Sequence, residues 1–459
     1  MTVGNQLRIQ KPTANLLDWC KKNMVLANPD YAKKVRMHLW LGNTPQKLYL
    51  MQWDGDTLVL PYGCLNTVLS MGECEVINDL PSPKKVDFGC SVPLYDYQEA
   101  AKEAMLKAYY GILQSPAGSG KTQVGIALAA ALGRKTLWLT HTRDLLSQSK
   151  NRAEQYMSPS LTGTITEGRV QIGKAITFAT VQTMCNLDLG RYRDVWDCII
   201  VDECHRVAGT PTSVTQFSKV LNSLAARHKY GLSATVHRAD GMIAATYALL
   251  GQIAYQVPDA AVAEKVMTVS VLPRPTHQGL SREFLDTDGT IIYAKLVNFL
   301  ADRYDRNELI AADLAENRNH YNLILSDRLS HLEYLMKHLP HDLRDQAVMV
   351  DGKMTSKKAK AMREQAIEDM RQGRKRYLFA TYSLAKEGLD IPRLDRLYLA
   401  TPQKDYAVIT QSIGRIARTF EGKAEPVVYD YVDEGIQYLV RSYKKRCATY
   451  RKCGCKFIE

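Results

Sequence analysis

Short, uninterrupted apolar segments rich in β-branched residues alternate with helical stretches along this chain, and they do so in two separate series. The first series comprises residues 111–114, 136–140, 175–179, 198–201 and 230–233; the second comprises 322–326, 347–350, 377–381, 397–400 and 427–431. A strand that is apolar on both faces must be covered on both, which is the signature of a parallel sheet sandwiched by helices. Two such series predict an α/β fold with two parallel-sheet lobes in tandem. A weakly patterned stretch, 266–289, containing Pro273-Arg274-Pro275, is expected to join them. Ahead of the first lobe, 16–24 reads as helix. The runs 47–53 and 57–61 flank Asp54-Gly55-Asp56, a hairpin signal. These elements predict a small α+β N-terminal accessory domain, expected to bind DNA, that ends near the proline-rich stretch 81–85. The expected divisions are therefore 1–88, 89–265 and 266–459, in line with ~150 residues per domain.

Composition narrows the class further. The chain is 46% hydrophobic and 24% charged, enough to bury real cores and unlike a disordered polymer. Its 60 Lys and Arg against 48 Asp and Glu give a net charge of +12, which suits a polyanionic partner such as nucleic acid. No apolar run approaches the ~20 residues of a bilayer span. The first eleven residues hold no apolar signal core, so an intracellular, cytoplasmic protein with no membrane partner is expected. The 10 cysteines are scattered, as in a reduced compartment. Cys447, Cys453 and Cys455 sit in a basic C-terminal stretch but lack a paired C-x-x-C, so reduced thiols are expected there rather than zinc. Trp138 and Trp196 read as core, and no aromatic run interleaved with basic residues marks a stacking platform.

Three motifs carry chemistry. Ser115-Pro116-Ala117-Gly118-Ser119-Gly120-Lys121-Thr122 follows an apolar strand and opens a helix. The backbone N–H groups of such a loop form a nest for phosphate oxygens. Lys121 is then expected to reach the β- and γ-phosphates, and the Thr122 hydroxyl to ligate Mg²⁺. Ser115 stands where the strict pattern has glycine. Asp202-Glu203-Cys204-His205 closes another apolar strand about 80 residues on. Asp202 suits a Mg²⁺ ligand and Glu203 a group that orients and activates the attacking water. In the second series, Arg415 and Arg418 of Gln411-Ser412-Ile413-Gly414-Arg415-Ile416-Ala417-Arg418 are three apart. A helix would set both guanidinium groups on one face, suited to the charge of a transferring phosphoryl group. Each motif alone has a plainer reading: a glycine-rich turn, a solvated strand end, a basic helix face.

Taken together, the residues resemble a superfamily 2 helicase with two RecA-like lobes, over about residues 90–440. Leu94-Tyr95-Asp96-Tyr97-Gln98 is similar to the segment whose Gln reads adenine. Residues 115–122 resemble motif I, 140–145 motif Ia, 180–183 motif Ib and 202–205 motif II. Ser233-Ala234-Thr235 resembles motif III, 380–392 motif V and 411–418 motif VI. Within the superfamily the chain looks most like bacteriophage UvsW-type branch-migration helicases and their XPB and RecG relatives. The features behind this are the small N-terminal domain, Arg238 and Asp240 after Ser-Ala-Thr, and Gly388-Leu389-Asp390-Ile391-Pro392. It departs at Cys204 and in the wording of 382–386.

The resemblance implies ATP and Mg²⁺ as cofactors and branched or forked DNA as partner, handled by a monomer. Gln98, residues 116–122, Gly388 and Asp390 would line the nucleotide site. Lys121, Asp202, Glu203, Arg415 and Arg418 would be catalytic. Thr142, Arg143, Thr180, Gln182, Ser326 and Thr381 would contact DNA, their hydroxyl, amide and guanidinium groups suiting sugar–phosphate contacts that read no sequence. For each hydroxyl a helix cap or strand-end hydrogen bond is the competing reading. His205 would couple the nucleotide site to Ser-Ala-Thr. The implied activity is ATP-dependent remodelling of forks and Holliday-type junctions. The alternatives are a double-strand DNA translocase or RNA helicase and, from another class, a P-loop phosphotransferase or an ATP-gated binding module.

Overall fold

The computed structural model describes residues 1–459 apart from 73–74, 83–84, 117, 236–241, 259–260, 262–266, 352–356, 387–388 and 390. The chain divides into two compact units, 1–116 with 120–259, and 117–119 with 260–459.

The first unit is built on an eight-stranded sheet among the described residues. Its order is Arg169–Gln171, Thr162–Thr166, Ile176–Thr180, Thr136–Thr140, Cys198–Asp202, His228–Ser233, Tyr110–Gln114 and Ile253–Gln256. All neighbours are parallel except the first pair. Leu137, Trp138 and Leu139 are all fully buried, because helices cover both faces and no polar alternation survives. One of those helices, Lys121–Leu132, buries Val124, Ile126, Ala127, Leu128 and Ala129. The edge hairpin Thr162–Thr166/Arg169–Gln171 turns through Glu167 (φ +52°) and Gly168 (φ +77°), the left-handed pair that a two-residue loop requires.

The N-terminal segment forms a second sheet in the same unit. Its order is Gln52–Asp54, Thr57–Pro61, Gln6–Gln10, Thr2–Val3 and Ile77–Asn78. The expected hairpin is present, with Asp54 opposite Thr57 and Gly55 at φ +57°. The run expected at 47–53 is divided: Lys47–Tyr49 pairs with Val25–Ala27 in a separate ribbon, and only Gln52–Asp54 joins the hairpin. Leu7, Leu16, Cys20, Leu58 and Leu60 share one core with Tyr110, Val214, Met242, Ala245 and Ala248 of the α/β sheet and its helices.

The second unit carries a seven-stranded, wholly parallel sheet among the described residues. Its order is Ala347–Val350, Tyr377–Thr381, Asn322–Ser326, Arg396–Leu399, Val427–Gly435, Ser270–Gly279 and Lys456–Phe457. The stretch expected to be a linker is a correction: Ser270–Gly279 runs as a ten-residue strand beside Val427–Gly435. Its two prolines are tolerated because Lys456–Phe457 pairs only with Ser270 and Val271. From Pro273 onward that side is an open edge where a missing N–H costs no ladder bond. Among the described residues no helix is long and apolar enough to cross a membrane.

Candidate functional site

The phosphate-loop candidate leaves strand Tyr110–Gln114, and Ser115 N–H donates to Ser233 O (2.9 Å), fixing the exit against the neighbouring strand. Gly118 (φ +81°) and Gly120 (φ +78°) are left-handed, a conformation that glycine alone adopts without strain. A Cβ on Gly120 would also overlap Nε2 of the buried Gln98. Gln98 is held from below, its Oε1 accepting from Tyr95 N–H (2.9 Å) at the start of helix Asp96–Ala108. Lys121, nearly buried, curls back so that its Nζ donates to Ser115 O and Pro116 O, each at 3.3 Å. Pro116 and Ser119 lie in this loop and Thr122 in the first turn of the helix. Ala117, Gly388 and Asp390, with Arg238 and Asp240, lie outside the described residues.

Asp202 ends strand Cys198–Asp202, and its buried carboxylate accepts from Ser149 Oγ (3.2 Å) and Glu203 N–H (3.0 Å). Burial, then the charge of Glu203, pushes its pKa up to about 6. The charge of Lys121 and the hydrogen bonds from Ser149 and Glu203 act the other way. Glu203 itself is left-handed (φ +48°), a placement that costs a non-glycine residue about 1 kcal/mol or more. His205 Nδ1 lies 3.3 Å from Glu203 Oε2 and 3.0 Å from Ser233 Oγ. Of the two contacts, the one to Ser233 has hydrogen-bonding geometry, and Glu203 Oε2 stands at ion-pair distance from the ring. Ser233 Oγ donates onward to Thr235 O (2.7 Å) and accepts Thr235 N–H (3.2 Å). The expected link from His205 to Ser233-Ala234-Thr235 is thus hydrogen-bonded, with Glu203 beside the ring at ion-pair distance.

These groups fit a nucleotide and a hard divalent cation. Two adjacent carboxylates, one with its pKa raised by burial and by its neighbour's charge, form a locus of negative charge that a cation relieves. The hydroxyl of Thr122 and the carboxylate of Asp202 are oxygen donors of the kind Mg²⁺ takes alongside phosphate oxygens and water. Among the described residues no group of three or more His, Cys, Asp or Glu side chains could hold a metal alone. Ser149 was not legible beforehand. It lies mid-helix in Arg143–Glu154, and only the fold brings it to Asp202.

In the second unit, helix Tyr406–Ile416 is capped by Asp405, whose side chain accepts Val408 N–H (3.0 Å). Arg415 lies in its last turn and donates from Nη1 to Leu389 O (3.1 Å). The helix stops at Ile416, with Ala417 as its C-cap, so Arg418 falls beyond it and the pair does not share a helical face. The ammonium of Lys423 accounts for the stop, since it donates to Ile416 O (2.7 Å) and Arg418 O (2.7 Å), carbonyls that a continuing helix would use, and it also donates to Pro392 O (3.0 Å).

The proposed DNA contacts divide by position. Thr140 and Thr180 end adjacent parallel strands, and Gln182 Nε2 donates to His141 O (3.0 Å), joining the loops that follow them. Thr142 and Thr180 are N-caps, accepting from Leu145 N–H (3.3 Å) and Thr183 N–H (3.4 Å), and Arg143 pairs with the exposed Glu167. Thr381 ends its strand with Oγ1 2.9 Å from Ser383 Oγ. Ser326 differs from these. Its hydroxyl is fully buried, 3.1 Å from His331 Nδ1, and accepts Arg328 N–H (3.1 Å), so it is turned inward rather than toward an external phosphate.

Comparison with known proteins follows the same division of the chain. Residues 91–238 match the family described as type III restriction enzyme, res subunit, and residues 305–420 match the helicase conserved C-terminal domain. The chain is 26% identical to the probable helicase D10 of Escherichia phage T5 over 383 residues, covering 83% of this chain and 78% of that one. It is 27% identical to the DNA 3'-5' translocase XPB2 of Sulfurisphaera tokodaii over 408 residues, covering 82% and 88%. Among solved structures it is similar to Dbp5 of S. cerevisiae bound to RNA and ADP BeF3, with a TM-score of 0.52, 15% identity and coverage of 80% and 94%; this likeness shows the fold. With two RecA-like lobes, both helicase domains matched in order and helicase relatives along most of its length, the chain belongs to the superfamily 2 helicases, ATP-dependent enzymes that act on nucleic acid.

Proposed function

We propose that this helicase is a DNA-directed motor that remodels branched DNA, meaning forks and Holliday-type junctions, in replication, recombination or repair. The observation that carries the reading is one set of groups at the C-terminal ends of strands Tyr110–Gln114 and Cys198–Asp202, which flank His228–Ser233: the left-handed Gly120, Lys121, the buried Asp202 and the adjacent Glu203. Ligands of open α/β sheets bind at that end. The loop amides and Lys121 would cradle the β- and γ-phosphates, and Gln98 would read the base. Thr122 and Asp202 would hold Mg²⁺, which when bound neutralises charge developing on the phosphates. Glu203, oriented by its left-handed backbone and by His205, would accept the proton of the attacking water. Arg415 and Arg418 are assigned to the charge of the transferring phosphoryl group. Thr142, Arg143, Thr180, Gln182 and Thr381 are assigned to the sugar–phosphate backbone. The DNA and branch preferences draw on the resemblance to UvsW-type enzymes and on the net charge of +12.

ATP hydrolysis measured with no polymer, single strand, duplex, fork, four-way junction and RNA tests the proposal. Branched DNA is expected to stimulate most and to be unwound. Stimulation by RNA alone would replace DNA as the track, and no stimulation by any polymer would favour a phosphotransferase or a gated binding module. Lys121→Ala and Glu203→Gln should each lower turnover by about 10²- to 10⁴-fold while nucleic-acid binding survives. Hydrolysis at the parent rate in either variant removes these roles.

A further inference from the structure

The N-terminal segment carries a feature that nucleotide hydrolysis does not use. Between helix Pro29–Arg36 and strand Lys47–Tyr49 the chain presents Trp40 with 87% of its surface exposed. Val35, Met37, Leu39 and Tyr49 are each at least half exposed around it. So much apolar surface in water is costly at ~25 cal/mol per Å², and a free loop would fold it inward. This loop is tied open instead. Leu39 N–H donates to Lys34 O (2.9 Å), Thr44 N–H to Leu41 O (3.0 Å), and Lys34 Nζ to Thr44 Oγ1 (2.7 Å). Asn28 closes the base, its Nδ2 donating to Pro45 O (2.7 Å) and its N–H to Gln46 O (3.0 Å). The indole lies against Gly42, where a Cβ would meet ring carbons at 2.9 to 3.3 Å, so the glycine leaves room for the ring. Across residues 28–49 four basic side chains, Lys33, Lys34, Arg36 and Lys47, stand against one acid, Asp30. Lys33, Arg36 and Lys47 are exposed.

An outward-facing indole in a segment rich in exposed cations is the chemistry that binds a strand with unstacked bases. A base stacks on the ring face while the ammonium and guanidinium groups track its phosphates. The geometry points to the 28–49 segment as a docking surface for single-stranded DNA, with Trp40 as the stacking platform. Charge complementarity selects this occupant over a second copy of the chain, which would bring the same positive patch against itself. The inference deepens the proposed function, since a strand-separating motor working at branches meets unpaired bases, and it rests on that reading.

The test uses the full chain and an oligo-dT strand without nucleotide, read by fluorescence anisotropy. Trp40→Ala is expected to weaken binding by about 5- to 150-fold, the worth of one stacked base, and Trp40→Phe to retain most of the affinity. Lys33→Ala and Arg36→Ala should each lower the slope of log K against log salt by about 1. DNA-stimulated ATPase at saturating strand should stay near the parent value in all four. Parent-like affinity in Trp40→Ala overturns the inference, as does an effect confined to self-association in sedimentation. If no polymer stimulates the parent ATPase, the motor reading fails while the anisotropy result still decides the stacking surface.

Discussion

Lys423 is a residue whose role no local pattern announces. Its ammonium ties Ile416 O, Arg418 O and Pro392 O together, and the Arg393 guanidinium lies 4.6 Å over the ring of Phe420 nearby. Burial lowers its pKa to about 8; the charge of Asp395 works against that shift and the charge of Arg418 works with it. A cation kept in place against that cost holds the turn that carries Arg418 and, on the role proposed for Arg418, would act as a positioning residue. Lys423→Met should lower kcat by about 10-fold, ~1.4 kcal/mol of barrier, with KM for ATP nearly unchanged. Lys423→Arg, which keeps a donor cation, should recover most of that loss. A rise in KM with kcat unaffected would mean that the turn serves binding and does not orient Arg418.

At the scale of elements, close backbone contact locks the N-terminal sheet to the first lobe. The turn Tyr62–Cys64 lies on the C-terminal end of helix Ile243–Leu250. There a Cβ on Gly63 would overlap Gly251 N and come within 2.6 Å of Ala248 O and 2.7 Å of Tyr247 O. These are main-chain atoms and cannot swing aside, so Gly63→Ala should cost about 1–3 kcal/mol. In a unit of this size that lowers the melting temperature by roughly 2–4 °C per kcal/mol. An unchanged melt would show that the two segments part without penalty. The same scale explains what the sequence revealed. All ten expected strands form; nine of them are largely buried, as uninterrupted apolar runs such as Leu137-Trp138-Leu139 record directly, while Ala347–Val350 lies at a sheet edge and buries only Val350. In the two α/β lobes, the strands that escaped notice lie at or beside sheet edges, Thr162–Thr166, Arg169–Gln171, Ile253–Gln256 and Lys456–Phe457, where one side needs no apolar cover. Ser270–Gly279 was hidden by its prolines. Site groups on a strand–loop–helix junction were legible because their geometry is local. Ser149 and Lys423 were not, since each acquires its partners only through tertiary packing.

At the scale of the whole molecule, the N-terminal sheet and the first lobe share a core, and Lys229 stands at their seam. It is fully buried on strand His228–Ser233, with Nζ donating to Leu221 O (2.7 Å) in the lobe and to Asn5 O (3.2 Å) in the N-terminal sheet's first turn. The ring of Tyr62 faces the ammonium at 5.0 Å, and its hydroxyl donates to Arg227 O (3.0 Å). Burial alone pulls the Lys229 pKa down from 10.5 to about 7. Below that pH both folded and unfolded chains hold the proton, and the charged burial is paid in full. Between about 7 and 10.5 the unfolded chain binds a proton that the folded chain has released, so this group makes stability rise with pH, by at most ~1.4 kcal/mol per unit. Lys229→Met removes the titration and keeps the volume. The stability of the parent minus that of Lys229→Met, from urea unfolding at a series of pH values, should therefore be lowest at and below neutrality and climb on the alkaline side. A difference that stays level across that range, or falls, would mean that the carbonyls and the Tyr62 ring already compensate the buried charge, so that Lys229 holds its proton at the seam through the alkaline range.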